Sequence, residues 1–569
     1  MTRSRHKSAT SDLQLAHDAA ESTLALNPVV GVNPEDLLAA ARTTGLQAIK
    51  QPLILTKHLA GYGRKLVDSL SGAKAYSAPR KDRRFQHAAW QNNHVYHGLL
   101  QAYLAFNETL EEWAEDVDFD EVDRLRAQFV LRVLSESVAP TNTLLGNPAA
   151  LDLARESNGR SILNGLKNLI DDLRHNGGMP AQVDKSQFQV GVNLALTPGA
   201  VVFKNDIIEL IQYQASSDKV YRRPLLLVPP QINKFYGMDL TPDKSLIKYC
   251  VDSGIQLFTI SWRNPSPEHA AWNLSDYVDS IMAGIVAIKS ITRSRDLNLI
   301  GFCSGGVTAS ALAGHLAAIG DKSVHAMTIG VCVLEMESVD SDISAFSSER
   351  TIEAARKKSR KAGLLRGRDL ARTFNWMRPN DLIWNYVVNN YLMGNSPPAF
   401  DILYWNNDTT NLPAGLHSDY LDIFTKGSLN RPGEFTVSGT PVDLGQVDCD
   451  KFFVAGVTDH ITPWKACYRS AMAYGGEAKF VLSHSGHVQS LINPPGNPKA
   501  CYYLNDAWPD TADEWLADAE QQQGSWWPIW MDWLQERSGN MKASPRKLGN
   551  SKYKAGAAAP GEYVHQKAE

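Results

Sequence analysis

The hexapeptide Gly301-Phe302-Cys303-Ser304-Gly305-Gly306 sets a thiol among small residues, between the apolar run Leu297–Ile300 and an apparent helix. This is the nucleophile-elbow pattern with Cys where Ser usually stands. A nucleophile on so sharp a turn needs small neighbours, and Gly301 and Gly305 let strand and helix approach closely. The helix that follows would aim its positive end at the site, where negative charge is favoured. The backbone N–H of Ser304 could then serve as one oxyanion donor. By itself the hexapeptide reads more readily as a small core cysteine, since a Cys between glycines is more often that. Two more residues shift that balance. Asp459 follows the run Lys451–Ala455, and His487 follows the run Lys479–Leu482. The order Cys, Asp, His, each after an expected strand, is the α/β-hydrolase order.

His487, in a Gly-containing loop after the last of these strands, is the favoured base. Asp459 would orient it and stabilise its imidazolium. His460 abuts Asp459 and is the alternative base; otherwise it lines the pocket. A second oxyanion donor should come from Val228-Pro229-Pro230-Gln231. The two prolines have no N–H, so Gln231 is the first available donor. The same stretch also reads as an ordinary turn.

These residues need a scaffold, and the chain carries the pattern for one. Val201, Phe203, Ile208 and Leu210 suggest an edge hairpin, and Leu225–Val228, Gln256–Trp262, Leu297–Ile300 and Val324–Leu334 read as buried strands. A helix over Ser275–Ser294 separates two of them, and alternation of this kind argues for a mostly parallel sheet. The alternation breaks at about 340–440, which reads as a helical cap insertion. Residues 1–186 form a mainly helical N-terminal domain, and 187–569 a catalytic α/β domain with that insertion and a Trp-rich extension. Asn33-Pro34 looks like a helix start. Leu55, Leu59, Tyr62, Leu66 and Leu70 form one apolar stripe, with Lys57, Arg64 and Lys65 off it. That stripe either packs on the protein's own core or lies on a lipid-like or polymer surface. The basic segment Met541–Glu569 reads as an extended tail.

Composition excludes several classes. The 569 residues are 43% hydrophobic and 21% charged, enough for a large core. A net charge of -4 gives no reason to expect nucleic acid. Six cysteines cannot form a disulfide framework in a chain this long, so a reducing, cytoplasmic setting is expected. Apart from Cys303 they read as core thiols without metal-ligand spacing. The polar stretch Met1–Leu13 lacks a signal-peptide core, and no apolar run is long enough for a transmembrane segment. No phosphate loop or dinucleotide fingerprint is present.

A Cys nucleophile exchanging with a thioester substrate keeps the acyl group activated, which suits transfer to an alcohol, provided a dry pocket excludes water. Longer motifs add to this. Leu26-Asn27-Pro28-Val29-Val30-Gly31, Asp82-Arg83-Arg84-Phe85, Ala139-Pro140-Thr141-Asn142-Thr143 and Pro229-Pro230-Gln231-Ile232-Asn233-Lys234 precede the Cys303 elbow. Trp405-Asn406-Asn407-Asp408-Thr409-Thr410, Asp459-His460-Ile461-Thr462-Pro463-Trp464 and Ser485-Gly486-His487 follow it. With these the chain resembles the polyhydroxyalkanoate synthases, most closely the class II, medium-chain-length type. The resemblance implies polymerisation of (R)-3-hydroxyacyl-CoA with release of CoA, the growing polyester carried on Cys303. It implies His487 as base and Asp459 as third member, the latter often assigned to the 3-hydroxyl of the incoming monomer. It implies a homodimer on the surface of cytoplasmic polyester granules, with granule-associated proteins as further partners and no cofactor or metal. Phe302 departs from the small residue more usual in class II, so monomer length stays open. The competing readings are a hydrolytic Cys enzyme and a non-catalytic granule-coat protein.

Overall fold

The computed structural model describes residues 34–79, 82–337, 340, 344–369 and 379–568. Asn33 and the motif at 26–31 lie outside the described residues. Among the described residues, the longer helices that come first are α1 (Pro34–Lys50), α2 (Pro52–Leu70), α3 (His94–Asp116), α4 (Glu121–Ser137), α5 (Pro148–Glu156) and α6 (Arg160–His175). Asn93, Asp120 and Asn147 open α3, α4 and α5, each side chain accepting backbone N–H groups that the first turn leaves without helical partners. Pro34, Pro52 and Pro148 stand at first helical positions, where a missing N–H costs nothing.

The stripe expected on α2 is only partly its packed face. Leu59 is largely exposed, whereas Lys65 turns inward and pairs with Glu108 and Glu112 of α3, both at 2.8 Å. Buried His58 reaches Asp116 at 2.9 Å. Ion pairs, rather than leucines alone, set the α2–α3 contact, and periodicity of apolar residues cannot register them. Helix α6 departs further from a simple amphipathic rule. It buries Ser161, Gly165 and Asp172 and leaves Leu163, Leu166 and Leu173 outward. A Cβ on Gly165 would lie 1.9 Å from the Tyr391 carbonyl oxygen, so this close approach fixes which face turns in.

A ten-stranded sheet follows. Its strands are β1 (Gly199–Lys204), β2 (Ile208–Tyr213), β3 (Leu225–Val228), β4 (Leu257–Trp262), β5 (Leu297–Phe302), β6 (Val324–Gly330), β7 (Asp450–Gly456), β8 (Ala478–Ser483), β9 (Cys501–Leu504) and β10 (Glu520–Gln523). The spatial order is β1-β2-β4-β3-β5-β6-β7-β8-β9-β10. The strands from β4 to β8 run parallel, and antiparallel pairs flank them on both sides. Leu225–Val228 is apolar throughout because helices cover both faces of this strand. On one face lie α7 (Leu246–Asp252) and, further along the chain, Trp526 and Trp530. On the other lie α8 (Leu274–Thr292) and α9 (Ser304–Ala318).

Between β6 and β7 the insertion contributes α10 (Glu349–Ala362), π-helical turns over Asn380–Trp384 and Val387–Leu392, and α11 (Ala414–Lys426). Its Tyr420 and Trp405 are buried. Past β8, α12 (His487–Leu491) is short, and the Trp-rich stretch ends in α13 (Trp527–Glu536), which Trp526 precedes. These tryptophans are structural anchors. Trp526 Nε1 donates to Ser490 O at 2.8 Å, bracing α12, and Trp530 Nε1 donates to Thr328 Oγ1 at 2.9 Å.

The basic tail is extended, yet it is docked. Met541–Ala543 pairs antiparallel with Lys219–Tyr221. The following chain lies along β1, with Val201 N–H donating to Ala557 O and Gly556 N–H to Val201 O, both at 2.8 Å. Glu209, buried on β2, accepts the N–H groups of Glu562 and Tyr563 and pairs with Lys204. No described helix is long and apolar enough to cross a membrane.

Candidate active site

Cys303 sits at the carboxyl end of β5 with φ 51° and ψ -126°. A non-glycine residue held there costs on the order of 1–3 kcal/mol, and it persists only where the surroundings impose it. They do so here. Cys303 N–H donates to Gly330 O at 3.0 Å, and Cys303 O accepts from Gly306 N–H at 2.9 Å. The neighbouring glycines make room. A Cβ on Gly301 would meet Ala309 Cβ at 2.7 Å, and one on Gly305 would lie 2.4 Å from the Val228 and Pro229 carbonyl oxygens. Gly305→Ala should therefore push the Pro229–Gln231 loop off the elbow at a cost of about 1–3 kcal/mol. A denaturant midpoint unchanged from wild type would contradict this. Phe302 is fully buried against Gly330, on the core side of the strand.

Asp459 and His487 leave the adjacent strands β7 and β8 at the same end of the sheet. Asp459 is buried in a tight turn, its Oδ1 accepting from Ile461 N–H at 2.9 Å and Thr462 N–H at 3.0 Å. Its Oδ2 meets Thr462 Oγ1 at 2.7 Å and His487 Nδ1 at 2.7 Å. Gly456 allows the two loops to close, since a Cβ there would strike Ser490 Oγ at 2.5 Å. The buried His487 ring also lies close enough to Cys303 for the sulfur to act on its charge. Burial disfavours its charged form. The Asp459 carboxylate and the Cys303 sulfur outweigh that and push it up to about 10. Burial likewise opposes the Asp459 charge, but His487 and the Thr462 donors hold its carboxyl below the usual value.

The structure thus brings Cys303, His487 and Asp459 together, with Nδ1 hydrogen-bonded to the carboxylate and the other ring nitrogen left for the sulfur. His460 stays half-buried on the Asp loop. His484 turns the other way, its ring 3.4 Å from Tyr503 Oη. Ser304 opens α9, so its N–H is among the donors the helix leaves unpaired. The Gln231 N–H, expected to face an oxyanion, donates instead to Ser304 Oγ at 3.0 Å. The Pro229-Pro230 turn delivers that N–H to the elbow, where the nearest acceptor is the serine hydroxyl. Thr462, bonded to Asp459 and 3.2 Å from His487 Nδ1, escaped the reading of the sequence. Its signal was its place three residues after Asp459, within reach of the aspartate's own turn.

A strained thiol after a central parallel strand, with a His–Asp pair after two later ones, defines an α/β-hydrolase-fold protein with a nucleophile elbow. The family model described as alpha/beta hydrolase fold matches residues 224–494. The model for the poly-beta-hydroxybutyrate polymerase (PhaC) N-terminus matches residues 81–250. Over 554 residues the chain is 50% identical to poly(3-hydroxyalkanoate) polymerase 1 of Ectopseudomonas oleovorans, covering 97% of this chain and 99% of that one. Polymerase 2 of the same organism is 48% identical, covering 95% and 96%. The poly(3-hydroxyalkanoate) polymerase subunit PhaC of Cupriavidus necator is 38% identical, covering 93% and 92%. The chain belongs to the poly(3-hydroxyalkanoate) polymerase family.

Proposed function

We propose that this chain polymerises (R)-3-hydroxyacyl-CoA into polyester with release of CoA, through an acyl thioester on Cys303. The observation that carries the reading is the strained Cys303 elbow beside the hydrogen-bonded His487–Asp459 pair, in a chain of the polymerase family. His487 takes the thiol proton, and the sulfur attacks the thioester carbonyl. The Ser304 N–H meets the developing oxyanion. The carbon–sulfur bond to CoA then breaks, and the departing thiolate takes the proton from His487. In the second half-reaction the 3-hydroxyl of an incoming 3-hydroxyacyl-CoA gives its proton to the same imidazole and attacks the enzyme-bound acyl group. The acyl–sulfur bond to Cys303 breaks, the sulfur takes that proton, and the lengthened chain, now on CoA, reacylates Cys303 by the first half-reaction. Asp459 holds the Nδ1–H tautomer throughout.

The higher identity to the two E. oleovorans polymerases than to the C. necator subunit supports the class II, medium-chain-length type. Homodimerisation, residence on cytoplasmic polyester granules and contacts with granule-associated proteins belong to the same reading. So does a division at about residue 186 between a helical N-terminal domain and the catalytic domain. Purified protein given (R)-3-hydroxyacyl-CoAs of about four to twelve carbons, a range of roughly 5–15 Å of extended chain, should release CoA and form insoluble polyester. CoA release with only free hydroxy acid would replace the synthase reading by the hydrolytic one.

A further inference from the structure

Behind the elbow lies a set of buried polar groups that the mechanism above does not use. Tyr420, on α11 of the insertion, donates its phenolic hydrogen to Gln231 Oε1 at 2.9 Å. Gln231 Nε2 donates to Thr308 Oγ1 at 2.8 Å. Thr308 Oγ1 donates to Ser304 O at 3.2 Å, one turn back along α9. The Gln231 main chain closes the loop by donating from its N–H to Ser304 Oγ. A second residue of the insertion, Thr410, grips the same strand end, with Oγ1 donating to Gln231 O at 2.5 Å and N–H to Ile232 O at 2.9 Å. Tyr420 and Thr308 are fully buried, and Gln231, Ser304 and Thr410 nearly so.

One relay runs from Tyr420 through Gln231 and Thr308 to Ser304, and the Tyr420 hydroxyl also lies 3.3 Å from both Ser304 O and Thr308 Oγ1. Ser304 is the residue after the nucleophile, and its N–H faces the oxyanion in the proposed mechanism. In a dry interior an unpaired amide oxygen is costly, so the set holds together as a unit. The Gln231 side chain cannot rotate without abandoning Tyr420 or Thr308. We propose that Tyr420, acting through Gln231 and Thr308, is a positioning residue by which the insertion fixes Ser304 and the Pro229–Ile232 loop for oxyanion stabilisation. This inference rests on the acyl-transfer reading of Cys303. It assigns the insertion a part in shaping the oxyanion side of the reaction.

Two reactions of the same sulfur separate positioning from general damage. Acylation by (R)-3-hydroxyacyl-CoA passes through an oxyanion, whereas alkylation by iodoacetamide needs the sulfur nucleophile and no oxyanion. Tyr420→Phe should slow single-turnover acylation by roughly 10- to 100-fold, the scale of a misplaced but still present donor. KM should change much less. Alkylation at Cys303, followed by mass spectrometry of its peptide, should proceed at the wild-type rate. Thr308→Val, near-isosteric, should behave alike and carries the test if Tyr420→Phe does not fold. Thr308→Ser, which keeps the hydroxyl, should restore acylation. Equal slowing of acylation and alkylation, or no slowing of acylation, would overturn the proposal. Failure of the Cys303 reading would look different, as turnover surviving in Cys303→Ala.

Discussion

Cys303→Ala is expected to abolish CoA release and polymer formation, a loss of roughly 10⁴-fold or more on the scale seen when nucleophiles are removed. The substitution leaves the backbone arrangement alone. The positive φ at 303 is imposed by the Gly330 and Gly306 hydrogen bonds and by the glycines that admit the neighbouring chain, none of which involves the thiol. Alanine tolerates that φ about as poorly as cysteine does, so the folded state should change by no more than about 0.5 kcal/mol. The measurement pairs a CoA-release assay with a denaturant midpoint. Lost activity at a wild-type midpoint assigns the chemistry to the sulfur. Retained polymer formation would mean that another group is acylated.

The second large effect concerns the His487–Asp459 pair. His487→Gln should cost roughly 10³–10⁴-fold in acylation, and Asp459→Asn a similar amount by favouring the wrong tautomer. His460→Gln should cost far less; a reversed order would move the base to His460. The pair also makes a prediction about pH. His487 is held up to about 10 against an ordinary value of 6.5. Its stabilisation is complete below about pH 6.5 and is lost as pH rises through about 10. Asp459 is held below its ordinary 3.8. Its contribution is complete above that value and is lost as pH falls through the lowered one. Between these limits the buried ion pair favours the folded state, and it fades on the alkaline side. Wild type should therefore lose stability between pH 7 and 10 more steeply than Asp459→Asn, read as denaturant midpoints on one buffer series. Parallel slopes would show that the pair contributes nothing in that range.

Much of this architecture was legible because single positions carry steric reasons. Gly305 has to be small where the Val228 and Pro229 carbonyls crowd the helix start. Apolar runs such as Leu225–Val228 announce strands buried on both faces. The positions of Asp459 and His487 follow from strands that end on the same side of a parallel sheet. What escaped was long-range polar contact. Tyr420 and Ser304 are 116 residues apart in sequence, and nothing in the α11 pattern distinguishes a tyrosine whose hydroxyl meets a glutamine from one that only fills space. Lys65 looked like a solvent-facing charge because its partners, Glu108 and Glu112, lie on another helix. The docked C-terminal segment has no periodicity to read, since its order comes from β1 and Glu209 rather than from its own side chains. Gln231 supplies the first N–H after two prolines, but its acceptor is a serine hydroxyl that spacing alone could not place.

The docked segment has one further consequence. An open sheet ends in two rows of backbone groups that invite a strand from another molecule. On one side those groups on β1 are taken by the protein's own last residues, through Ala557, Gly556 and Ala559. On the other, β10 is four residues long and reads Glu-Gln-Gln-Gln, short and polar. Neither border offers a long apolar template. A protein whose proposed work gathers many copies on one growing solid must tolerate very high local concentration, and these two borders bar sheet-to-sheet aggregation there. A C-terminal truncation before residue 556 would reopen one of them.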